Sequence, residues 1–181
     1  MKLQDIVDFS QFDITSRDFQ DSCRETLVKE GALVLPGFMQ SAAVEEVRTR
    51  SEQDKHRAYF CVQEHNVYLT PSDPDFDEEH TRNRKVISSK GCITDDIVPE
   101  DSPLRTLYDS EEFQTFLCTV LGEKALFPYA DPLSSINVHY AETGQELGWH
   151  FDNSSFATTL MIQEPEAGGA FEYVENVRDA D

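Results

Sequence analysis

Two residues apart in ELGWHFDNSSFATTLMIQ (residues 146–163) stand a histidine and an aspartate, His150 and Asp152. On an extended strand successive side chains point to opposite faces, so residues i and i+2 share one. The imidazole and carboxylate would then point the same way, and Trp149 and Phe151 the other way, toward a core. Both groups are metal donors. A facial set of two histidines and one carboxylate, with open positions for a chelating co-substrate and oxygen, is the arrangement that suits non-haem Fe(II). His-x-Asp on one strand supplies two of those three ligands at little entropic cost, because the strand fixes their relative geometry. The third would be a histidine from a distant strand.

Around the pair the chain reads as β-rich. After Gly122, turn residues recur at Asp131 and Pro132, Thr143 and Gly144, Asn153 and Ser154, Glu164 and Pro165, and Gly168 and Gly169, with β-forming segments between them. Such spacing suggests a sandwich or barrel. Residues 123–181 are therefore expected to hold the sheet and residues 1–122 the helices. Both belong to a single domain, since 181 residues with 39% hydrophobic content fit one core. Ser16 can cap a helix running to residue 30, in which Phe19, Cys23 and Leu27 recur every fourth position and Gly31 marks the stop. ALVLPGF (residues 32–38) reads as a short strand with a turn at Pro36 and Gly37. Ser41 then opens a second helix carrying Ala43, Val44 and Val47. SEEFQTFLCTVLG (residues 110–122) is the clearest helix, with acids in its first turn and a stripe of Phe113, Phe116, Leu117 and Val120. TPSDPDFDEEHTRN (residues 70–83) reads as a solvated loop, and a flap near an active site is the functional version of that reading.

Charge and cysteine usage narrow the partners. With 35 acidic against 15 basic residues, a net of -20, the surface repels phosphates, which disfavours nucleic acid and anionic membranes. Cys23, Cys61, Cys92 and Cys118 form no CxxC, which argues against a zinc knuckle or redox pair and for a reduced, cytoplasmic chain. The opening MKLQDIVDFSQFDITSRD lacks the apolar run of a signal peptide, and no stretch reaches the roughly 18 apolar residues of a membrane span. A small-molecule substrate is the expected partner.

With these residues in view, residues 137–179 resemble the iron-binding half of the Fe(II)/2-oxoglutarate-dependent oxygenases. The resemblance is to the branch of small-molecule and amino-acid hydroxylases and related halogenases. His150, Asp152, the Gly148 and Trp149 lead-in, and the Gly168, Gly169, Ala170, Phe171, Glu172, Tyr173 strand carry it. It implies an α+β fold: a double-stranded β-helix, the cupin-like jelly roll, with N-terminal helices packed outside. It implies Fe(II) and 2-oxoglutarate as cofactors and molecular oxygen as co-substrate. The reaction would oxidise a C–H bond of a small polar metabolite, a free amino acid being one class, coupled to decarboxylation of 2-oxoglutarate. Asp152 selects within the branch, because halogenating relatives carry a small residue there that frees a metal position for chloride. A carboxylate implies a hydroxylase or desaturase. Asn137 and Tyr140 are the expected 2-oxoglutarate contacts, although a regular strand puts them on opposite faces and only a bulge would unite them. Trp149, Asn153 and Arg84 are the expected substrate contacts. Trp149 also reads as core, and Arg84 with Lys85 as balance for the preceding acids.

One departure from the family pattern matters. No histidine follows Asp152, and the only later basic residue is Arg178, so the family's distal histidine and arginine have no secure match. The expectation is an N-terminal portion of a longer enzyme, holding about half of a jelly roll's eight strands with about 60–80 residues to follow. The alternatives are a short homologue acting as a binding or interaction module without catalysis, and a site completed from within by His139 or His80. His139 shares a strand face with Asn137 and reads first as a hydrogen-bonded strand histidine. A zinc site of two histidines and one aspartate uses the same donors, with no hydrolytic base beside it. An open barrel edge predicts a sticky or homodimeric product.

Overall fold

The computed structural model describes residues 1–131, 133–175 and 177. Helices α1 (Leu3–Ile6), α2 (Arg17–Glu30) and α3 (Ser41–Asp54) precede strands β1 (Tyr59–His65) and β2 (Val86–Ile93); α4 (Pro103–Tyr108), α5 (Glu111–Leu121) and β3 (Val138–Tyr140) follow.

The helices start and stop where their chemistry directs. The Ser16 hydroxyl accepts from the Phe19 amide at 3.5 Å and that of Ser110 from the Phe113 amide at 3.1 Å, while Gly31 and Gly122 close α2 and α5 in the left-handed conformation. At α3 the cap position falls to Gln40, not Ser41, and the Gln40 amide reaches back to the Gln4 carbonyl at 2.7 Å. Helices α2 and α5 pack together. Between them and the first loops, five phenylalanine rings form a closed circuit: Phe12 to Phe19 at 6.2 Å, Phe19 to Phe116 at 6.0 Å, Phe116 to Phe113 at 6.3 Å, Phe113 to Phe38 at 5.9 Å and Phe38 to Phe12 at 5.8 Å. Ile6, Val7, Ile14, Ala43 and Val47 complete the core. Among the described residues no helix is long and apolar enough to cross a membrane.

Three expectations change. Residues 32–38 are not a strand: Leu33 and Leu35 pack on the core and Val34 is exposed, but the segment finds no ladder, and pairing is confined to the Val7–Met39 bridge beyond it. The part expected to be helical holds the two longest strands, β1 and β2, which pair antiparallel with His65 opposite Val86 and Tyr59 opposite Cys92. Beyond Gly122, β3 is the strand found among the described residues, pairing antiparallel with β2 through Tyr140 opposite Gly91. The strand expected from Gly168 to Tyr173 is not formed: Gly168 and Gly169 sit at φ 70° and 63°, outside the extended region, and the described residues after them pair with no strand. Sheet order is β1-β2-β3, so β1 is an edge, with Tyr59 and Val62 exposed on its opposite faces.

Candidate active site

Residues 146–152 form no helix or strand, yet they lie along β2 on the side where β3 pairs. Beyond Tyr140 the chain makes an excursion closed by the Gln145 amide on the Glu142 carbonyl at 2.9 Å, then rejoins β2. The Ser89 amide donates to the Glu146 carbonyl at 2.7 Å, the Glu146 amide to the Ser89 hydroxyl at 3.2 Å, and the Gly148 amide to the Ser88 hydroxyl at 2.9 Å. A Cβ on Gly148 would stand 2.6 Å from the Ile87 carbonyl oxygen, so only glycine lets the backbone come this near. Farther on, the Phe151 amide donates to the Val67 carbonyl at 2.8 Å.

This path sets the pair. The His150 Nδ1 lies 2.8 Å from the Gly148 carbonyl, which can only accept, so Nδ1 carries a proton and, in the neutral ring, Nε2 presents its lone pair. Nε2 faces the Asp152 Oδ1 at 3.4 Å. A bare imidazole nitrogen and a carboxylate oxygen this close are reconciled by a proton or by a cation held between them. Donors bound at right angles on bonds of about 2.1 Å stand roughly 3 Å apart, so the pair needs little adjustment to share a metal ion. Strand periodicity is not what brings them together.

Among the described residues a third donor is not assembled. Among the described residues no group of three or more histidines, cysteines, aspartates or glutamates could hold a metal ion. His139, on β3, lies opposite Cys92 of β2; desolvation, with the Lys90 ammonium adding to it, holds its pKa below the ordinary histidine value. His80 stacks on Phe76, ring centroids 4.3 Å apart, and its Nδ1 accepts from the Arg82 amide at 3.2 Å. The histidine that does approach is His65 of β1, edge-on to His150 with ring centroids 6.1 Å apart. Both its nitrogens are engaged: Nδ1 with the Asn66 carbonyl at 2.9 Å and Nε2 with the Ser88 hydroxyl at 2.7 Å.

A family model described as HalD, halogenase D, matches residues 15–180. The chain belongs to the halogenase D family. The match thus reaches across helices α2 to α5, the hairpin and the His150 segment together, and it places the chain in a family of enzymes. No curated protein and no solved structure matches it.

The other residues singled out for this halogenase D family member are dispersed. Tyr140 points its hydroxyl to α3, donating to the Ser51 carbonyl at 2.6 Å, and desolvation first, then the Asp54 and Glu52 carboxylates, push its pKa up to about 12. Asn137 is exposed and accepts from the Cys92 thiol at 3.3 Å, so no bulge brings it to the Tyr140 hydroxyl. Trp149 is 50% exposed, not core as a strand would have made it. Asn153 and Arg84 are exposed. The pairing with the acidic loop expected of Arg84 and Lys85 is made by Arg82, whose Nε meets the Asp73 Oδ2 at 2.7 Å. Arg178 lies outside the described residues.

That loop is exposed, as its composition dictates, but closed on itself. Buried Asn83 donates to the carbonyls of Asp73, Phe76 and Asp77 and accepts from the Asp73 amide at 2.7 Å. Buried Asn66 accepts from the Tyr68 and Thr70 amides. Arg82 lies over the Tyr68 ring at 5.2 Å and Tyr68 packs on Phe151 at 5.3 Å, which joins the loop to the His150 segment. Tyr68, Arg82, Ser88 and His65 were missed from sequence because only the hairpin register brings them here. All four cysteines are free, and burial pushes the Cys23 and Cys92 thiols up, so neither is a ready nucleophile.

Proposed function

We propose that this member of the halogenase D family is an Fe(II)- and 2-oxoglutarate-dependent oxygenase that hydroxylates a small polar metabolite, a free amino acid being one class. The observation that carries the reading is the His150 Nε2 3.4 Å from the Asp152 carboxylate, with the proton on the other ring nitrogen held by the Gly148 carbonyl. His150 and Asp152 would hold the metal, which, once bound with 2-oxoglutarate, supplies the oxidation of a C–H bond by oxygen. The donor set among the described residues is one short of a facial triad, so the residues present hold and orient and no catalytic step is assigned to them. The jelly roll belongs to this proposal too, with the three-stranded sheet as its described part. Asp152 supports hydroxylation over halogenation, because a carboxylate fills the position a halide needs.

The test is anaerobic titration with Fe(II) and 2-oxoglutarate, following the weak visible charge-transfer band of the chelate. Wild type should develop the band and Asp152→Ala should lose it. Absence of the band from folded wild type would sink the reading. A second reading, a non-catalytic binding module, is favoured by the lack of a third donor among the described residues and predicts no Fe(II) binding under the same conditions.

A further inference from the structure

Behind the pair runs a chain of hydrogen bonds whose direction is fixed at every link when both histidine rings are neutral. The Asn66 carbonyl can only accept, so the His65 Nδ1 opposite it at 2.9 Å carries a proton and, in the neutral ring, the His65 Nε2 is bare. That bare nitrogen takes the one proton of the Ser88 hydroxyl, 2.7 Å away. The hydroxyl then has only lone pairs left, and it accepts the Gly148 amide at 2.9 Å. On the far side of the same glycine, the carbonyl takes the His150 Nδ1 proton at 2.8 Å. With Gly148 pressed against the Ile87 carbonyl and the His65 ring edge-on to the His150 ring, the segment has little room to turn.

We propose that His65 is a positioning residue for the His150–Asp152 pair: through Ser88 it locks the Gly148 backbone, and so holds His150 in the Nδ1–H form that aims Nε2 at Asp152. The assignment rests on the metal-binding reading above for its purpose, but its physical content is the tautomer and orientation of one ring. A histidine that merely stabilised the hairpin would contribute to folding and leave that ring unchanged. Partners that orient a ligand histidine typically change metal affinity about 10–100-fold when removed.

The experiment uses the full chain labelled with nitrogen-15 in its histidines, without metal, at a pH where the His150 ring is neutral. Long-range proton–nitrogen correlation reads which ring nitrogen carries the proton. Wild type should show the Nδ1–H form. His65→Ala and, independently, Ser88→Ala should shift His150 toward the Nε2–H form. His65→Gln, whose side-chain oxygen can accept the Ser88 proton, should restore the wild-type signal. Co(II) titration of the same samples should show about 10–100-fold weaker binding for His65→Ala. An unchanged His150 tautomer in folded Ser88→Ala and His65→Ala overturns the proposal, even if wild type binds Co(II). A wild type that binds no Co(II) yet loses the Nδ1–H form in both variants upholds the positioning role and removes the metal reading instead.

Discussion

Gly148→Ala probes the contact that lets the His150 segment lie on β2. The new Cβ would stand 2.6 Å from the Ile87 carbonyl oxygen, where ordinary contact begins at 3.4 Å, so backbone must separate from backbone by about 0.8 Å. A rotamer change cannot relieve this, because the obstacle is a carbonyl in a paired strand. Lengthened by that amount, the Ser89-to-Glu146, Gly148-to-Ser88 and Glu146-to-Ser89 bonds, now 2.7, 2.9 and 3.2 Å, all reach or pass the limit of useful hydrogen bonding. Each such bond contributes about 1 kcal/mol net, and water recovers part of it at an exposed segment, so the expected loss is about 1–3 kcal/mol. In a domain of this size that lowers Tm by about 2–10 °C. Thermal unfolding should show the drop, and amide exchange should show lost protection at Ser89. Gly144→Ala is the control: its φ of 82° makes alanine strained, but nothing lies within 4 Å, so stability falls while Ser89 protection stays. A Gly148→Ala variant that melts with wild type and keeps the Ser89 amide protected would refute the close-contact reasoning.

Asn83→Ala removes four hydrogen bonds from the buried residue that closes the acidic loop, and limited proteolysis should cut within residues 73–83 at least about tenfold faster, while global stability falls by only about 1–3 kcal/mol. Tyr140 has a pKa raised from 10.0 to about 12, so the neutral phenol is favoured on folding; its stabilisation is complete below pH 10 and is lost as pH climbs toward 12. Urea unfolding of Tyr140→Phe between pH 8 and pH 12 should show a cost of about 1 kcal/mol at the low end and a flatter decline above pH 10. Asp8, held below 3.8 by the Ser10 hydroxyl and then the Gln11 amide, contributes stability that is present above that pH and lost as pH falls through its folded value. Asp8→Asn should therefore be less stable than wild type at pH 7, with the gap closing in acid, as read by chemical unfolding at the two pH values.

The helices were legible because their signals are local. Ser16 and Ser110 act on amides three residues away, Gly31 and Gly122 stop the chain where they stand, and the stripe of Phe113, Phe116 and Val120 is buried as its spacing requires. Strands β1 and β2 lack such a signal. Tyr59 and Val62 put apolar groups on opposite faces of β1, and β2 spends Ser88, Ser89 and Gly91 on close neighbours instead of an apolar stripe. The apolar run at residues 32–38 misled for the converse reason: it has the residues of a strand and no partner to pair with. Of the candidate site, the nearness of His150 and Asp152 was readable from their spacing. The cause was not, because a side-chain bond to Gly148 does what strand alternation was expected to do.

The consequence concerns where this site is vulnerable. A strand in a sheet owes its shape to its own ladder, but residues 146–152 form no strand and are held by the Ser88 and Ser89 side chains, the Ser89 amide and the Val67 carbonyl. The phenylalanine circuit that stabilises the helices is made by α2, α5 and the first loops and includes none of those groups. Sites that share no partners respond to substitution independently. Loss of a core ring such as Phe116 therefore lowers stability without re-aiming His150, whereas a change as small as one hydroxyl on Ser88 leaves the core intact and releases the donor pair.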